Sequence, residues 1–134
     1  MRHLYTSGVS YRYALNESFV IHRLAPDSKI PDTVYSGKFF TISKSENELS
    51  IVCSSSIVLE SQQSEDGWSC VRVVGELDFS MVGILAKISS LLAGVGVSIF
   101  VISTYDTDYI LIKSDQLAIA LNTLEAANYI IKRI

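Results

Sequence analysis

One stretch constrains the fold more than any other: Gly75–Lys113, reading GELDFSMVGILAKISSLLAGVGVSIFVISTYDTDYILIK. Within it Met81, Ile84, Leu85, Ile88, Leu91, Leu92 and Val95 recur at the i, i+3, i+4, i+7 spacing that lays one apolar stripe along a helix. Asp78 or Ser80 can cap the start of that helix, and Gly94 or Gly96 can supply the left-handed residue that ends it. Val97–Thr104 and Asp108–Lys113 follow, apolar on both faces, which predicts two central strands covered on both sides and joined by an acidic turn. The apolar run Met81–Ser103 approaches bilayer length, but Lys87, Ser89, Ser90, Gly94 and Gly96 interrupt it. It therefore reads as helix, turn and buried strand, and no membrane association is expected.

The flanks complete a unit. Trp68–Leu77 predicts a long strand with Val71 and Val73 on one face and Cys70, Arg72 and Val74 on the other. Ser114-Asp115-Gln116 opens a last helix with Leu117, Ala120, Leu121 and Leu124 inward, and Tyr129–Ile134 closes as a strand. The order βαββαβ is the split unit of ferredoxin-like α+β folds, an antiparallel sheet with both helices on one face. Phe100 and Tyr109 make the other face too apolar for water, so a second sheet or a second chain is expected on it.

Upstream, Tyr11–Leu15 and Phe19–Leu24 predict strands around the turn Asn16-Glu17-Ser18, with His22 free to face either side. Pro31-Asp32 predicts at most a short helical turn, ended by Ser36-Gly37. Phe39–Cys53 predicts a hairpin. Shifted by sixty positions without a gap, Phe40 falls on Phe100, Ile42 on Ile102, Ser43 on Ser103, Glu46 on Asp106, Glu48 on Asp108 and Ile51 on Leu111. That suggests an internal repeat, although any two hairpins of similar length share apolar strands and a polar turn. Ser54–Gln63 predicts a short helix or a loop. Ser64-Glu65-Asp66-Gly67 predicts a turn and a boundary, dividing the chain into modules at 1–66 and 67–134.

Composition narrows the function. A chain of 134 residues, 49% hydrophobic, can bury a proper core, and a net charge of −3 without clustered Lys and Arg excludes a nucleic-acid footprint. Met1–Gly8 lacks the apolar segment of a secretory signal, so a cytoplasmic location is expected. Cys53 and Cys70 have neither zinc nor CxxC spacing and read as two buried free thiols.

Catalytic motifs are missing from the sequence: no GxSxG elbow, no GxGxxG and no P-loop, since Gly94-Val95-Gly96 follows a helix rather than opening one. Neither cofactor nor metal is expected. A non-catalytic binding site does emerge. The helix start frees the backbone N–H groups of Met81, Val82 and Gly83, which can receive a carboxylate, and Gly83 removes a side chain there. Ser103, Thr104, Tyr105, Asp106, Thr107 and Asp108 end the following strand, and the carboxylates of Asp106 and Asp108 can hold an ammonium group. Together they suit an amino acid zwitterion. Asp106-Thr107-Asp108 as a plain turn, its acids bonding their own backbone, stands beside that reading.

Leu77–Leu85, followed by Ile99–Tyr109 with its run ISTYDTDY, resembles the ACT-domain family, specifically small bacterial tandem-ACT proteins related to the arginine-sensing CASTOR proteins and the regulatory part of aspartokinases. The resemblance extends through Phe19–Asp27, Phe39–Ile42 and Glu48–Cys53. It implies two ferredoxin-like modules in tandem, a homodimer, and ligand sensing for allosteric regulation. It also implies binding through the loop Asp78, Phe79, Ser80, Met81, Val82, Gly83 and Ile84, and through Ile102, Ser103, Thr104, Tyr105, Asp106, Thr107 and Asp108. The first half lacks a long amphipathic helix with an early glycine, so its own site is expected to be missing or reduced. No attached enzyme is expected, and the regulated partner is expected to be another chain. The rival expectation is a protein-interaction module with a vestigial pocket. An enzyme reading rests only on Asp106, Asp108 and His22 converging.

Overall fold

The computed structural model describes residues 17–76 and 83–134. The expected strand Tyr11–Leu15 lies outside them, as do Asp78, Phe79, Ser80, Met81 and Val82. Two compact units divide the chain, one formed by Glu17–Trp68 and the other containing Ser69–Ile134.

In the first unit, β1 (Phe19–Leu24) pairs antiparallel with β3 (Leu49–Ser54), and β3 with β2 (Thr41–Lys44). The first residues of β4 (Gln63–Glu76) pair with β1 on its other side, giving the order β2-β3-β1-β4. The inward face of β1 carries Val20, His22 and Leu24, opposite Cys53, Ile51 and Leu49 of β3. Leu24, Leu49, Ile51 and Cys53 form the core with Val34, which comes from a 3-10 turn at Asp32–Ser36. Pro31 precedes that turn and Gly37 closes it, as the sequence predicts, because Pro fixes an extended φ just before the first turn.

The turn expected at Ser64-Glu65-Asp66-Gly67 is not formed: β4 runs through it. Its glycine does different work. Between the pairs Ile21↔Glu65 and Phe19↔Trp68 the partner strand skips one residue fewer than β4, and Gly67 takes φ 77°. A left-handed glycine at an extra residue is a β-bulge, which bends a strand without ending it. Of Ser54–Gln63, left open between helix and loop, Ser54 ends β3, 55–62 is a loop and Gln63 begins β4.

In the second unit, α1 (Ile84–Gly94) follows β4, then come β5 (Ile99–Ser103), β6 (Asp108–Lys113), a 3-10 turn at Ser114–Gln116, α2 (Leu117–Ala126) and β7 (Tyr129–Arg133). The strand order is β5-β6-β4-β7, with β5–β6 and β4–β7 antiparallel. This is the ferredoxin-like order expected for βαββαβ. Ile88 and Leu92 of α1, Ile110 and Ile112 of β6, and Leu117, Ala120, Leu121 and Leu124 of α2 make one core with Val71, Val97, Tyr129 and Ile131. Val95, assigned to the helix stripe, is instead 39% exposed, because the helix stops at Gly94 and Val95 turns out of register.

Both helix ends use left-handed residues. Gly96 has φ 76°, its N–H donates to Ala93 O at 3.0 Å, and the N–H of Val97 donates to Leu92 O at 2.9 Å. That pair of bonds is the Schellman arrangement, and Val97 and Leu92 share the core beneath it. Asn128, φ 71°, ends α2 in the same conformation, with its N–H on Glu125 O at 2.9 Å.

The expectation of two central strands holds for β6 and fails for β5. Ile110, Leu111 and Ile112 are fully buried, whereas β5 ends the strand order and exposes Val101 by 38%. Crossover topology decides this: the strand after the first helix is placed beyond the third, and apolar content alone cannot tell an edge from a centre.

The internal repeat also needs a correction. Lys44↔Leu49 closes the first hairpin and Ser103↔Asp108 the second, so equivalent residues stand fifty-nine positions apart. With that offset the core residues Ile51 and Cys53 fall on the core residues Ile110 and Ile112. An offset of sixty would move each strand to the opposite face.

Candidate ligand site at one end of a sheet

Two strands joined by a single helical crossover run in the same direction, so β4 and β5 finish at the same end of their sheet. The start of β6 lies there too, because β5 and β6 form a hairpin. The start of α1 and the turn Thr104–Thr107 therefore share one end of the second unit.

The turn is organised by threonine. The N–H of Thr104 donates to Thr107 O at 2.8 Å, its hydroxyl donates to the same oxygen at 3.0 Å, and the N–H of Thr107 reaches Thr104 Oγ1 at 3.2 Å. Ser103 donates its hydroxyl to Asp108 Oδ1 at 2.5 Å. Among the described residues, no hydrogen bond ties Asp106 or Asp108 to its own backbone. Thr104 thus closes the turn on Thr107, and the Asp108 carboxylate adds one bond across its base. Asp106 is exposed, Asp108 is half-buried with its second oxygen open, and the Tyr105 side chain stands fully in solvent. Ile102 is half-buried in β5.

At the helix start, Gly83 is the N-cap itself, with φ 78° and ψ 12°, and no side-chain cap bond is made. The expected caps Asp78 and Ser80 lie outside the described residues, and the glycine precedes the first turn of α1 instead of sitting in it. The first helical bond runs from the Lys87 N–H to Gly83 O at 2.9 Å, so the amides of Ile84, Leu85 and Ala86 have no partner within α1 among the described residues. Leu85 and Ala86 were not among the sequence-predicted site residues. The signal for them was Gly83, since glycine is an accepted N-cap, but Asp78 and Ser80 are better caps and masked it. Among the described residues a Cβ on Gly83 would meet nothing within 4 Å.

His22 belongs to the other unit and bonds Ser61, its Nδ1 lying 2.9 Å from the Ser61 hydroxyl. Both cysteines are buried free thiols, as the spacing implied. Burial raises the Cys53 thiol and pushes Cys70 up to about 12, so neither is poised as a nucleophile. Among the described residues no helix is long and apolar enough to cross a membrane.

The strand order and paired helices define a ferredoxin-like α+β module with an open end between a helix start and an acidic hairpin. A family model of the ACT domain matches residues 63–126, and a model described as an N-terminal domain matches residues 17–60. Residues 63–126 thus form an ACT domain. The cytosolic arginine sensor for mTORC1 subunit 1 of Mus musculus is 33% identical over 95 residues, covering 65% of this chain and 29% of that protein. Its Rattus norvegicus counterpart is 34% identical over the same extent. The chain thus spans 29% of the length of these curated relatives. Among solved structures, a protein of Agrobacterium tumefaciens is 35% identical with a TM-score of 0.74, and the match covers 84% of each chain. The aspartokinase alpha and beta subunits share the fold at 19% identity and a TM-score of 0.54, covering 84% of this chain and 92% of theirs.

Proposed function

We propose that this chain is a non-catalytic, cytoplasmic sensor whose ligand is a free amino acid and whose occupancy regulates a partner protein. The observation that carries this is the meeting, at one end of the second unit, of a helix start whose N-cap is a glycine and an acidic turn that Thr104 closes. Free amides attract a carboxylate, and Asp106 and Asp108 attract an ammonium group. The loop Asp78–Ile84 completes the carboxylate side in this proposal. The likeness to a mammalian arginine sensor supports an amino acid over other zwitterions.

The test is a thermal-shift panel of the common amino acids. A ligand at one hundred times its dissociation constant adds about 2.7 kcal/mol of stability, a readily measured rise in Tm. One member of the panel, or a small related group, is expected to give it. A flat response across the panel would leave the interaction-module reading, for which the exposed apolar edge of β5 speaks.

A further inference from the structure

The unit Glu17–Trp68 holds a buried titratable group for which the ligand reading has no use. His22 is only 6% exposed, on the core face of β1, across from Ile51 and beside Leu24. Its Nδ1 meets the Ser61 hydroxyl at 2.9 Å, while its Nε2 is buried with no hydrogen-bond partner among the described residues. Ser61 lies on the segment 55–62 that joins β3 to β4. The Ser55 N–H donates to Ser18 O at 2.9 Å, the Ile57 N–H to Ser54 O at 3.0 Å, and the Gln62 N–H to Arg23 O at 2.9 Å. Ile57 and Leu59 press the segment onto the core. We propose that His22 is a proton-operated latch for this segment: the neutral imidazole holds 55–62 closed, and a proton on Nε2 opens it.

The chemistry follows from the ring's inventory. A neutral imidazole has one donor and one acceptor. With Nδ1–H donating to Ser61, Nε2 presents only a lone pair to its surroundings, and a buried unpaired acceptor is tolerated better than a buried unpaired donor. Protonation turns Nε2 into a charged donor with no acceptor, which is costly until water reaches it. The covering segment is the element whose lifting admits water.

Neighbouring charge gives the cation no relief in the closed form. On the elements around it the titratable groups are Cys53 of β3, neutral because burial raises its thiol, and the carboxylates of Glu60, Glu65, Asp66 and Asp32, all exposed. Arg23, next along β1, turns to the other face and donates to Gln62 Oε1 at 2.5 Å. Burial lowers the His22 pKa below its ordinary 6.5, in agreement with the geometry. The sign is fixed by linkage. Above 6.5 both closed and open forms are neutral at His22, and as pH falls below it the open form takes up the proton first, so opening grows with acidity.

Hydrogen exchange on the full chain at the amides of Ser55, Ile57 and Gln62, corrected for intrinsic rates, reads the opening constant. Between about pH 8 and about pH 5.5 it should rise roughly tenfold in the wild type and stay flat in His22→Asn, which keeps a donor near Ser61 but cannot titrate. A flat wild-type profile overturns the latch, and so does an equal rise in the variant. Should His22→Asn fail to fold, the NMR titration of the wild-type imidazole decides: an apparent pKa below 6.5 supports the latch, and one at or above it refutes it.

Discussion

Asp108 accepts the Ser103 hydroxyl on one carboxylate oxygen across the base of the turn, while Thr104 closes the turn itself on Thr107. Its replacement therefore separates binding from folding. Asp108→Ala should cost the ligand-free protein no more than about 0.5–1.5 kcal/mol, the worth of an ordinary hydrogen bond, yet abolish any amino-acid thermal shift. Paired melting curves with and without the ligand check this, and loss of the fold would return Asp108 to a purely structural turn role. The sequence identified both acidic positions but left open whether they served the backbone. What it could not display was the threonine: Thr104 reads like any other polar turn residue until its hydroxyl is seen bridging both sides of Thr107. Ser61 was hidden for a similar reason, since nothing in a serine-rich stretch marks the one hydroxyl that reaches His22 across thirty-nine positions.

The glycines show how far local patterns carry and where they stop. Two of them, Gly94 and Gly96, were equal candidates to end α1, and their roles are now opposite. Gly96 sits at φ 76°, whereas Gly94 is the last helical residue, and a Cβ would meet nothing within 4 Å at either position. Space being equal, only backbone conformation distinguishes them. Gly96→Ala should destabilise by about 1–2 kcal/mol from left-handed strain. Gly94→Ala should stabilise by about 0.4–1 kcal/mol, since it restricts the unfolded chain without strain in the folded one. Urea denaturation of the two variants should give midpoints displaced in opposite directions, and displacement of both to lower urea would contradict the assigned cap. Gly67 marks the limit. A Ser-Glu-Asp-Gly run signals a left-handed residue correctly, but whether that residue makes a turn or a bulge depends on the partner strand, and β1 ends at Leu24, far upstream in sequence. Helix periodicity, by contrast, is complete within one segment, which is why α1 and α2 were legible and the edge position of β5 was not.

The two units share a strand order and differ in what covers it. Where the second unit has α1 between its first two strands and α2 before its last, the first has only the 3-10 turn Asp32–Ser36 and the segment 55–62. A five-residue 3-10 turn presents no helix start with a row of free amides, so the proposed site has its carboxylate half in the second unit. The sequence carried this asymmetry plainly, because an amphipathic helix cannot be hidden in a stretch without its periodicity. The asymmetry predicts where a ligand will be felt. Hydrogen exchange with a saturating amino acid from the thermal-shift panel should slow the amides of Ile84, Leu85, Ala86 and Thr107, and leave those of Ser55, Ile57 and Gln62 within twofold of their ligand-free rates at neutral pH. Binding linkage supplies the size: at one hundred times the dissociation constant, groups exposed only by opening of the bound end should slow about a hundredfold. Protection confined to the first unit would remove the helix start from the site. Equal protection in both would mean that the missing helices do not matter, and that the first unit binds by some feature other than free helix amides.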